Sequence, residues 1–354
     1  MSPSKVDLKN LTQDQLISFV ESLGQPSFRG RQLLAWIYKP DITDFDQMTD
    51  LAKVFRRTLK NNAIISRFDQ AIIENSSDGS VKFAFQLQDG KVIESVLIPE
   101  NERSTLCISS QVGCAMGCTF CCTGKMGFGR NLHTSEIINQ VCAVKSWAQT
   151  NKQTVISNLV FMGMGEPLAN MDVLLDAISL FTEQRGLNFS ARRITVSTCG
   201  LIPQMLQLGE RTNVNLAISL HAVDDATRNV LMPVNRKYPL AQLIAACKKY
   251  PQKKRQRIMF EFTLIKGVND NKDTAHRLAK LLHSIPCKIN LLSMNNSGDD
   301  SVISPDRETV LHFQKILRDK GYPVFIRQSR GDDIAAACGQ LAQKTWDPSK
   351  CTAL

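Results

Sequence analysis

Four cysteines lie close together in the 354-residue sequence, in the stretch CAMGCTFCC at 114–122. Three of them, Cys114, Cys118 and Cys121, have the spacing C-x3-C-x2-C. A structural zinc site normally takes four ligands in two separated pairs, and the sequence shows no second short pair. Three close thiolates can instead hold three irons of a 4Fe–4S cluster and leave the fourth iron open to a substrate or cofactor. The spacing favours such a cluster over zinc or unliganded thiols, and Cys122, outside the spacing, is predicted to be a packed thiol.

Further polar residues stand where predicted strands end. Gly165 and Glu166 follow a strand in FMGMGEP, where glycine permits close approach of a ligand and the carboxylate can accept from a cationic amine. Ser197 ends a strand in ITVSTCG, and Ser219 and His221 end another in AISLHA. These hydroxyls and the imidazole suit a polar ligand, although a single histidine is more often a satisfied core residue.

The spacing of apolar residues divides the chain into a helical part and an alternating part. Residues 7–68 show helical spacing, which predicts a small helical accessory domain over 1–75. Two period-two runs around Asp89 and Gly90 predict a linking β-hairpin over 76–100.

Beyond the hairpin, short β-branched runs alternate with amphipathic helices over residues 101–343, and a tail follows at 344–354. About six such repeats predict βα units around a parallel sheet. We therefore predict an α/β fold built on a partial (β/α)6 barrel. Functional groups of such barrels lie at the C-terminal ends of the strands, where the cysteine motif, GMGEP and SLHA are found.

Composition limits the class of protein. Eleven cysteines, an odd number in a long chain, argue against a secreted disulfide framework and for metal, redox or catalytic use of some of them. The N-terminus lacks an apolar signal-peptide core and no apolar run is long enough to span a membrane, which predicts a cytoplasmic protein with no membrane partner. A formal net charge of +10 suits a polyanionic partner such as RNA, although simple solubility also explains it.

With these stretches placed, the chain closely resembles the RlmN/Cfr family of radical S-adenosylmethionine (SAM) RNA methyltransferases. The resemblance lies in CISSQVGCAMGCTFC, GFGRNL, FMGMGEPLAN, LMPVN, CKINLL and, most specifically, RGDDIAAACGQL near the C-terminus. It implies a radical SAM barrel in which the open iron of the cluster binds SAM, and an activity that methylates a ring carbon of adenosine in RNA. The residues that the resemblance implies for SAM binding are Gly165, Glu166, Ser197, Ser219, Leu220, His221 and Asn295.

The resemblance also implies roles for residues that look ordinary by themselves. An adenine ring carbon is electrophilic and cannot attack the SAM methyl group, so family members carry the methyl on a C-terminal cysteine, matched here by Cys338. A second SAM supplies a 5′-deoxyadenosyl radical that activates this methyl group. Release requires electron transfer, a proton acceptor, matched by Glu94, and a second thiol, matched by Cys107, which forms a disulfide with Cys338.

The sequence leaves three functions open. The first is methylation of adenosine carbon 2 in 23S ribosomal RNA and possibly transfer RNA, with two SAM consumed per turnover and a flavodoxin- or ferredoxin-like electron donor. The second is carbon 8 methylation of the Cfr type. The third, of another class, is a non-catalytic iron–sulfur RNA-binding redox sensor, which has no use for Cys338. The cysteines predicted to be merely buried small hydrophobes are Cys142, Cys199, Cys247 and Cys287.

Overall fold

The N-terminal part of the computed structural model is helical, as its apolar spacing predicts. The structure describes residues 5–39, 42, 44–100, 103–151, 154–253, 256–294, 303–342 and 346–354. The elements of this part are β1 (Val6–Asp7), α1 (Gln13–Ser22), α2 (Phe28–Ile37), α3 (Lys53–Asn62) and β2 (Ala63–Ile64). Thr12 caps α1 through a capping box with Gln15, and the parallel pairing of β1 with β2 ties the two ends of the part together.

The predicted hairpin is confirmed, and it extends a larger antiparallel unit. Its strands are β3 (Gln70–Asn75), β4 (Val81–Gln86) and β5 (Val92–Glu100). At the turn between β4 and β5, Gly90 has a φ of 79°, which glycine adopts without strain, and Asp89 accepts a hydrogen bond from the Lys91 N–H. Because β3 already belongs to the same sheet as the hairpin, the domain boundaries near 75 and 100 stay predictions.

The remaining chain alternates strands and helices, as predicted. Its strands are β6 (Arg103–Cys107), β7 (Gln111–Gly113), β8 (Phe128–Asn131), β9 (Ile156–Phe161), β10 (Ile194–Thr198), β11 (Asn215–Ser219), β12 (Ile258–Leu264), β13 (Cys287–Ser293), β14 (Val324–Arg327) and β15 (Cys351–Ala353). Its helices are α4 (Cys122–Lys125), α5 (Thr134–Asn151), α6 (Met171–Thr182), α7 (Ile202–Arg211), α8 (Asp225–Leu231), α9 (Leu240–Lys249), α10 (Lys272–Leu281) and α11 (Arg307–Asp319).

One eleven-stranded sheet in the described residues has the order β14-β13-β12-β11-β10-β9-β6-β5-β4-β3-β15. Neighbouring strands are parallel along the part of the sheet that runs β6-β9-β10-β11-β12-β13-β14. Neighbouring strands are antiparallel along the part that runs β6-β5-β4-β3-β15. Six crossovers therefore join seven parallel strands, which confirms the α/β prediction of repeated βα units. The C-terminal ends of these strands meet at one end of the barrel.

The two faces of the barrel strands differ in chemistry. On β12, Phe260 and Phe262 face the helices and are fully buried, and Phe262 stacks on Phe313 of α11. Burial of each such ring stabilises the fold by about 1.5–3 kcal/mol. The alternate residue, Glu261, faces the barrel interior beside Asn290 of β13. An apolar outer face and a polar inner face suit a barrel whose interior holds a polar substrate.

The segment predicted as a tail includes a strand. β15 pairs antiparallel with β3, with Thr352 opposite Ala71, and it covers what would otherwise be an open sheet edge. Across the part of the chain that the structure describes, no helix combines the length and the apolar character needed to cross a membrane.

Candidate active site

The three motif cysteines lie on a loop that follows β7 and ends at α4. The Cys114 N–H donates to the Gly127 oxygen at 2.8 Å, which ties the start of the loop to the β8 side. The Cys121 N–H donates to the Cys118 oxygen at 3.2 Å. Met116, Cys118 and Phe120 pack against a small apolar cluster formed by Cys199, Leu231, Met232 and Ile265. The loop is thus fixed by local hydrogen bonds and by packing on the ends of later strands.

The thiols of this loop share one partly buried space. Burial raises the pKa of Cys114 to about 11 and that of Cys118 to about 12, and the charges of neighbouring motif cysteines raise both further. The nearby Arg228 guanidinium acts in the opposite direction on the Cys118 pKa. Without a metal these groups are neutral thiols at neutral pH, so binding of a cluster must release protons.

The donor set fits an iron–sulfur cluster by its chemistry. It consists of three thiols on one short loop, and the Cys121 charge interacts with both Cys114 and Cys118. Each cysteine of an iron–sulfur cluster binds a different iron, so three neighbouring thiols suit such a cluster.

Gly165 and Glu166 connect the end of β9 to the residues after β6. Gly165 has a φ of 99°, and a Cβ there would lie 2.5 Å from the Gln111 Cβ, so only glycine fits. The Glu166 N–H donates to the Gln111 side-chain oxygen at 2.8 Å. The buried Glu166 carboxylate accepts from the N–H groups of Leu168 at 3.0 Å and Cys199 at 2.8 Å. Burial raises its pKa, and these hydrogen bonds oppose the shift. Glu166 therefore locks two strand ends together beside the thiols.

The other residues predicted for SAM lie at the ends of β10 and β11. Ser197 and Ser219 are half-buried on the inner face, whereas Leu220 is fully buried. His221 is buried with a φ of 54°, and its Nδ1 accepts from the Thr263 N–H at 2.9 Å. Burial and the Arg228 charge lower the His221 pKa to about 3, so the ring is neutral. Asn295 lies outside the described residues.

Arg228 on α8 organises these strand ends, although it was not among the predicted site residues. Its guanidinium is fully buried and donates to the Leu220 oxygen at 3.1 Å, the Cys199 oxygen at 2.7 Å and the Ser219 oxygen at 3.1 Å. It also donates to the Asn235 side-chain oxygen at 2.9 Å. The guanidinium fork thus joins the ends of β10 and β11, a use that suits arginine and not lysine. The available sequence signal was its position three residues before the LMPVN motif, whose last residue is Asn235.

We expect Arg228→Met to destabilise the protein by about 3 kcal/mol or more, because it leaves four buried acceptors without their donor. Thermal unfolding checks the loss. The matched control is Arg236→Met, an exposed arginine of the same region, for which a change within about 0.5 kcal/mol is expected. Equal unfolding temperatures for the two variants would contradict this role of Arg228.

Cys338 lies in the C-terminal segment, residues 331–342, which folds back onto the motif loop. The Cys122 N–H donates to the Gly339 oxygen at 2.7 Å. Cys338 is solvent-exposed, yet its thiol is near enough to Cys121 for their charges to interact. The chain therefore brings its most C-terminal predicted catalytic residue to the cysteine motif.

Cys107, at the end of β6, lies beside Cys338. Loss of hydration on burial raises the Cys107 pKa, and the Cys338 charge raises it further. Although the residue is accessible to solvent, the surrounding protein reduces the hydration of the Cys338 thiol and raises its pKa to about 11. The Glu261 carboxylate adds to this shift and Arg327 opposes it. Within the described residues neither cysteine forms a disulfide, and the two thiols are close enough for their charges to interact.

Glu261 is a further carboxyl group beside Cys338 that sequence reasoning missed. Its Oε1 accepts from the Asn290 Nδ2 at 2.9 Å, and burial raises its pKa to about 7 against the effects of Asn290, Arg327 and Lys288. The signal was its position in RIMFEFTLIKG, where a single charge interrupts an apolar strand.

Glu94 lies on β5 with its carboxylate buried beside Lys82 of β4. Glu94 Oε1 is 3.8 Å from the Lys82 Nζ. The Ser109 hydroxyl donates to the Glu94 backbone oxygen at 2.6 Å and accepts from the Met164 N–H at 2.8 Å, which joins β5 to the GMGEP loop. The structure thus brings the Glu94 strand to the same end of the barrel as the residues predicted for SAM.

Comparison with known proteins agrees with this geometry. A family model described as the ribosomal RNA large subunit methyltransferase N-terminal domain matches residues 6–65, and the radical SAM superfamily matches residues 108–279. A radical SAM methyltransferase from Sphaerobacter thermophilus superposes with a TM-score of 0.88 at 41% identity, covering 95% of this chain and 98% of that one. The chain therefore has the fold of a radical SAM methyltransferase.

Curated relatives narrow the class. The dual-specificity RNA methyltransferase RlmN of Desulfotalea psychrophila is 58% identical over 344 residues, which is 96% of this chain and 95% of that protein. The protein of the same name from Geotalea uraniireducens is 48% identical over 337 residues, or 95% and 96% of the two chains. The chain belongs to the RlmN family of radical SAM RNA methyltransferases. Its superfamily implies SAM and an iron–sulfur cluster.

Proposed function

We propose that this enzyme methylates carbon 2 of adenosine in 23S ribosomal RNA and in transfer RNA in the cytoplasm, through a methyl group carried on Cys338. The observation that supports the proposal most directly is the closeness of the Cys107 and Cys338 thiols, since the two residues lie at opposite ends of the core sequence. An ordinary SAM methyltransferase, which moves the methyl straight to its acceptor, needs neither thiol.

The first half-reaction loads the carrier. The Cys338 sulfur attacks the methyl carbon of one SAM, a carbon–sulfur bond forms, and S-adenosylhomocysteine leaves with the electron pair of the broken bond. The exposed position of Cys338 beside the motif loop lets its sulfur reach a SAM bound there. The raised pKa of this thiol means that it must give up its proton during the attack, with Glu261 beside it.

The second half-reaction uses the loaded cysteine. Cys114, Cys118 and Cys121 would hold the 4Fe–4S cluster, which supplies the electron that cleaves a second SAM to a 5′-deoxyadenosyl radical. Gly165, Glu166, Ser197, Ser219, Leu220, His221 and Asn295 would hold that SAM. Removal of one hydrogen from the methyl on Cys338 lets its carbon add to adenosine carbon 2, so protein and RNA become covalently joined.

Resolution of this joined state falls to Cys107 and Glu94. Glu94 takes the proton from carbon 2, and Cys107 attacks the Cys338 sulfur. The carbon–sulfur bond breaks, a sulfur–sulfur bond forms, and the ring proton held by Glu94 ends on the new methyl group. The Cys107 thiol proton leaves to solvent, and one electron would return to the oxidised cluster. A flavodoxin- or ferredoxin-like protein would supply electrons for the cycle, including those that reduce the disulfide.

The decisive test is anaerobic reconstitution of the cluster, incubation with SAM, a reducing system and RNA, and mass spectrometry of the nucleosides. The expected product is 2-methyladenosine in both 23S ribosomal RNA and transfer RNA. Appearance of 8-methyladenosine would replace the proposal with a Cfr-type activity. RNA binding that responds to cluster oxidation, with no methylated product, would replace it with a redox sensor.

The accessory helices offer basic side chains of two kinds for RNA. Arg31 on α2 and Arg57 on α3 are exposed, and no ion pair holds either one among the described residues. Lys60, by contrast, already pairs with Asp44 at 3.0 Å and Asp46 at 2.6 Å. A cation that is not already in an ion pair can displace counterions from RNA phosphates without first losing that pair. We therefore propose that Arg31 and Arg57 contact the RNA backbone.

We expect RNA affinity to fall at least about tenfold between about 50 and 200 mM monovalent salt. The double variant Arg31→Gln/Arg57→Gln is expected to bind more weakly and to reduce the slope of log affinity against log salt by about 1–2. Lys60→Gln is the matched control, with a smaller change in slope. Filter binding across a salt series measures both. An affinity indifferent to salt would contradict the proposed surface.

A further inference from the structure

Two aspartates fasten the C-terminal segment to the turn between β3 and β4. On the turn, Asp78 Oδ2 accepts from the Gly331 N–H at 2.9 Å. On the segment, Asp333 accepts from the Ser76 hydroxyl at 2.6 Å and from the Ser77 N–H at 2.9 Å. Each side therefore supplies an acceptor to the other, and we call these five residues the turn clasp.

Both carboxylates of the turn clasp are charged at neutral pH. Burial opposes ionisation of Asp78, but hydrogen bonds from two backbone N–H groups outweigh it and lower the Asp78 pKa to about 2. Hydrogen bonds from Ser76 and Ser77 lower the Asp333 pKa. Hydrogen bonds to an ionised acceptor are about twice as strong as neutral ones, so the turn clasp is a firm attachment.

A tight turn connects this attachment to Cys338. The Ala335 N–H donates to the Asp332 oxygen at 3.1 Å, and the Ala336 N–H donates to the Gly331 oxygen at 2.8 Å. Ala335 has a φ of 51°, which alanine keeps only where its surroundings impose it. Cys338 lies two residues beyond this turn, so its place depends on where the turn is held.

The other end of the segment is attached to the motif loop. The Gly339 oxygen accepts from the Cys122 N–H at 2.7 Å, and the Leu341 oxygen accepts from the Thr123 hydroxyl at 2.6 Å. Cys122 and Thr123 directly follow the last motif cysteine, whereas the turn clasp belongs to the antiparallel strands. Cys338 thus lies between one contact at the motif loop and another at a separate part of the sheet.

We propose that Asp78 and Asp333 are positioning residues, which hold the C-terminal segment so that the Cys338 sulfur meets the methyl group of SAM. This inference rests on the proposed function, in which Cys338 carries the methyl group. Both carboxylates act through the segment and not on the reacting atoms. Without the turn clasp the segment keeps its contacts at Ile334 and Gly339 but gains freedom at its start. A sulfur displaced by about 1 Å attacks the methyl carbon far more slowly.

Asp333 offers the sharper pair of variants, because its side chain is exposed and its truncation leaves no cavity. Asp333→Ala removes both contacts to the turn. Asp333→Asn keeps an oxygen for the Ser77 N–H and adds an amide N–H to donate to the Ser76 hydroxyl, so it should restore them. Asp319→Ala is the matched control, since this exposed aspartate pairs with Lys315 of its own helix at 2.7 Å.

The first measurement is the rate of methyl loading on Cys338 in the reconstituted full-length protein, starting from protein that carries no methyl group. Peptide mass spectrometry follows the loading over a range of SAM concentrations. For Asp333→Ala we expect the rate at saturating SAM to fall at least about tenfold. The SAM concentration that gives half the maximal rate should stay within about twofold, because the residues proposed for SAM are unchanged. Asp333→Asn and Asp319→Ala should load within about twofold of the wild-type rate.

The second measurement is hydrogen exchange of peptides covering residues 331–342 in the same reconstituted protein. We expect exchange at least about fivefold faster in Asp333→Ala and close to the wild-type rate in Asp333→Asn and Asp319→Ala. A role confined to stability would leave the loading rate of the folded protein unchanged.

A wild-type loading rate in Asp333→Ala would overturn the inference whatever its exchange, and so would equal slowing in Asp333→Ala and Asp333→Asn. If Asp333→Ala does not fold, Ser76→Ala, which removes the hydroxyl contact alone, takes its place. Loading slowed at least about threefold is then expected, and an unchanged rate would count against the proposal. Absence of any methyl group on Cys338 in the wild-type protein would instead refute the proposed function, which keeps the two failures distinct.

Discussion

Cys338→Ala is expected to lower formation of methylated adenosine by at least about a thousandfold while the fold and RNA binding persist. The side chain is exposed, so its truncation leaves no buried cavity and costs little stability. What is lost is the only sulfur in the C-terminal segment, and with it the group that accepts the methyl from SAM. Nucleoside mass spectrometry measures the product, and peptide mass spectrometry of the wild-type protein detects S-methylcysteine at position 338.

A neighbouring thiol provides the matched control for Cys338. Cys122 is partly buried next to the motif loop, and its backbone N–H, which remains after mutation, makes the contact to Gly339. We expect Cys122→Ala to retain iron content and methylation within a few-fold of the wild-type protein. Normal methylation by Cys338→Ala would contradict the carrier mechanism. Loss of iron in Cys338→Ala would show that the residue acts on the cluster site and not on the methyl group.

Much of the fold was predictable because its signals are local. The alternation of strands and helices depends on residues a few positions apart, and so does the turn at Gly90 between β4 and β5. The spacing of Cys114, Cys118 and Cys121 is equally local, so their common loop follows from the sequence. Short-range patterns of this kind are fixed by backbone geometry before any distant contact forms.

Long-range contacts are the part that local patterns miss. Lys82 alternates with Val81 and Phe83 and therefore looks solvent-facing, but the C-terminal segment covers it. The available signal was its diagonal position to Glu94: Ala84 pairs with Glu94, which puts Lys82 and the carboxylate on one face of the hairpin.

Two residues at the strand ends, Glu166 and His221, have structural roles that the sequence pattern does not predict. Glu166 was predicted to accept from the SAM amine, and the structure shows that its carboxylate also accepts from two backbone N–H groups. His221 was predicted to face SAM, and its Nδ1 is occupied by the Thr263 N–H. Both residues therefore shape the site as well as offering ligand atoms, a double use that residue type and spacing do not reveal.

The meeting of Cys107 and Cys338 follows from three separate contacts of the C-terminal segment. Gly331 is held on the β3–β4 turn, Ile334 on Lys82 and Gly339 on the motif loop. These attachments run from the antiparallel strands to the cysteine loop, so the segment crosses the mouth of the barrel with Cys338 over the interior. The carrier is therefore positioned by the whole sheet and not by its immediate neighbours.

Cys107→Ala is expected to produce a stable covalent complex between protein and RNA. Without the second thiol no sulfur attacks Cys338, so the carbon–sulfur bond to adenosine stays intact after the methylene carbon has added. Incubation with SAM, reductant and RNA followed by a denaturing gel should show a band that contains both molecules. Release of methylated nucleoside is expected to fall at least about a hundredfold. Loading of Cys338 should continue, because Cys107 takes no part in the attack on SAM.

The choice of control decides how this result is interpreted. Cys107 is 7% exposed, and its truncation to alanine costs about 1 kcal/mol of packing. Cys247 on α9 is fully buried, so Cys247→Ala imposes a similar packing loss at a thiol that has no part in the proposed mechanism. We expect Cys247→Ala to turn over without accumulating the complex. If Cys107→Ala instead released product at the wild-type rate, a different group would have to break the bond to Cys338, and the closeness of the two thiols would be structural only.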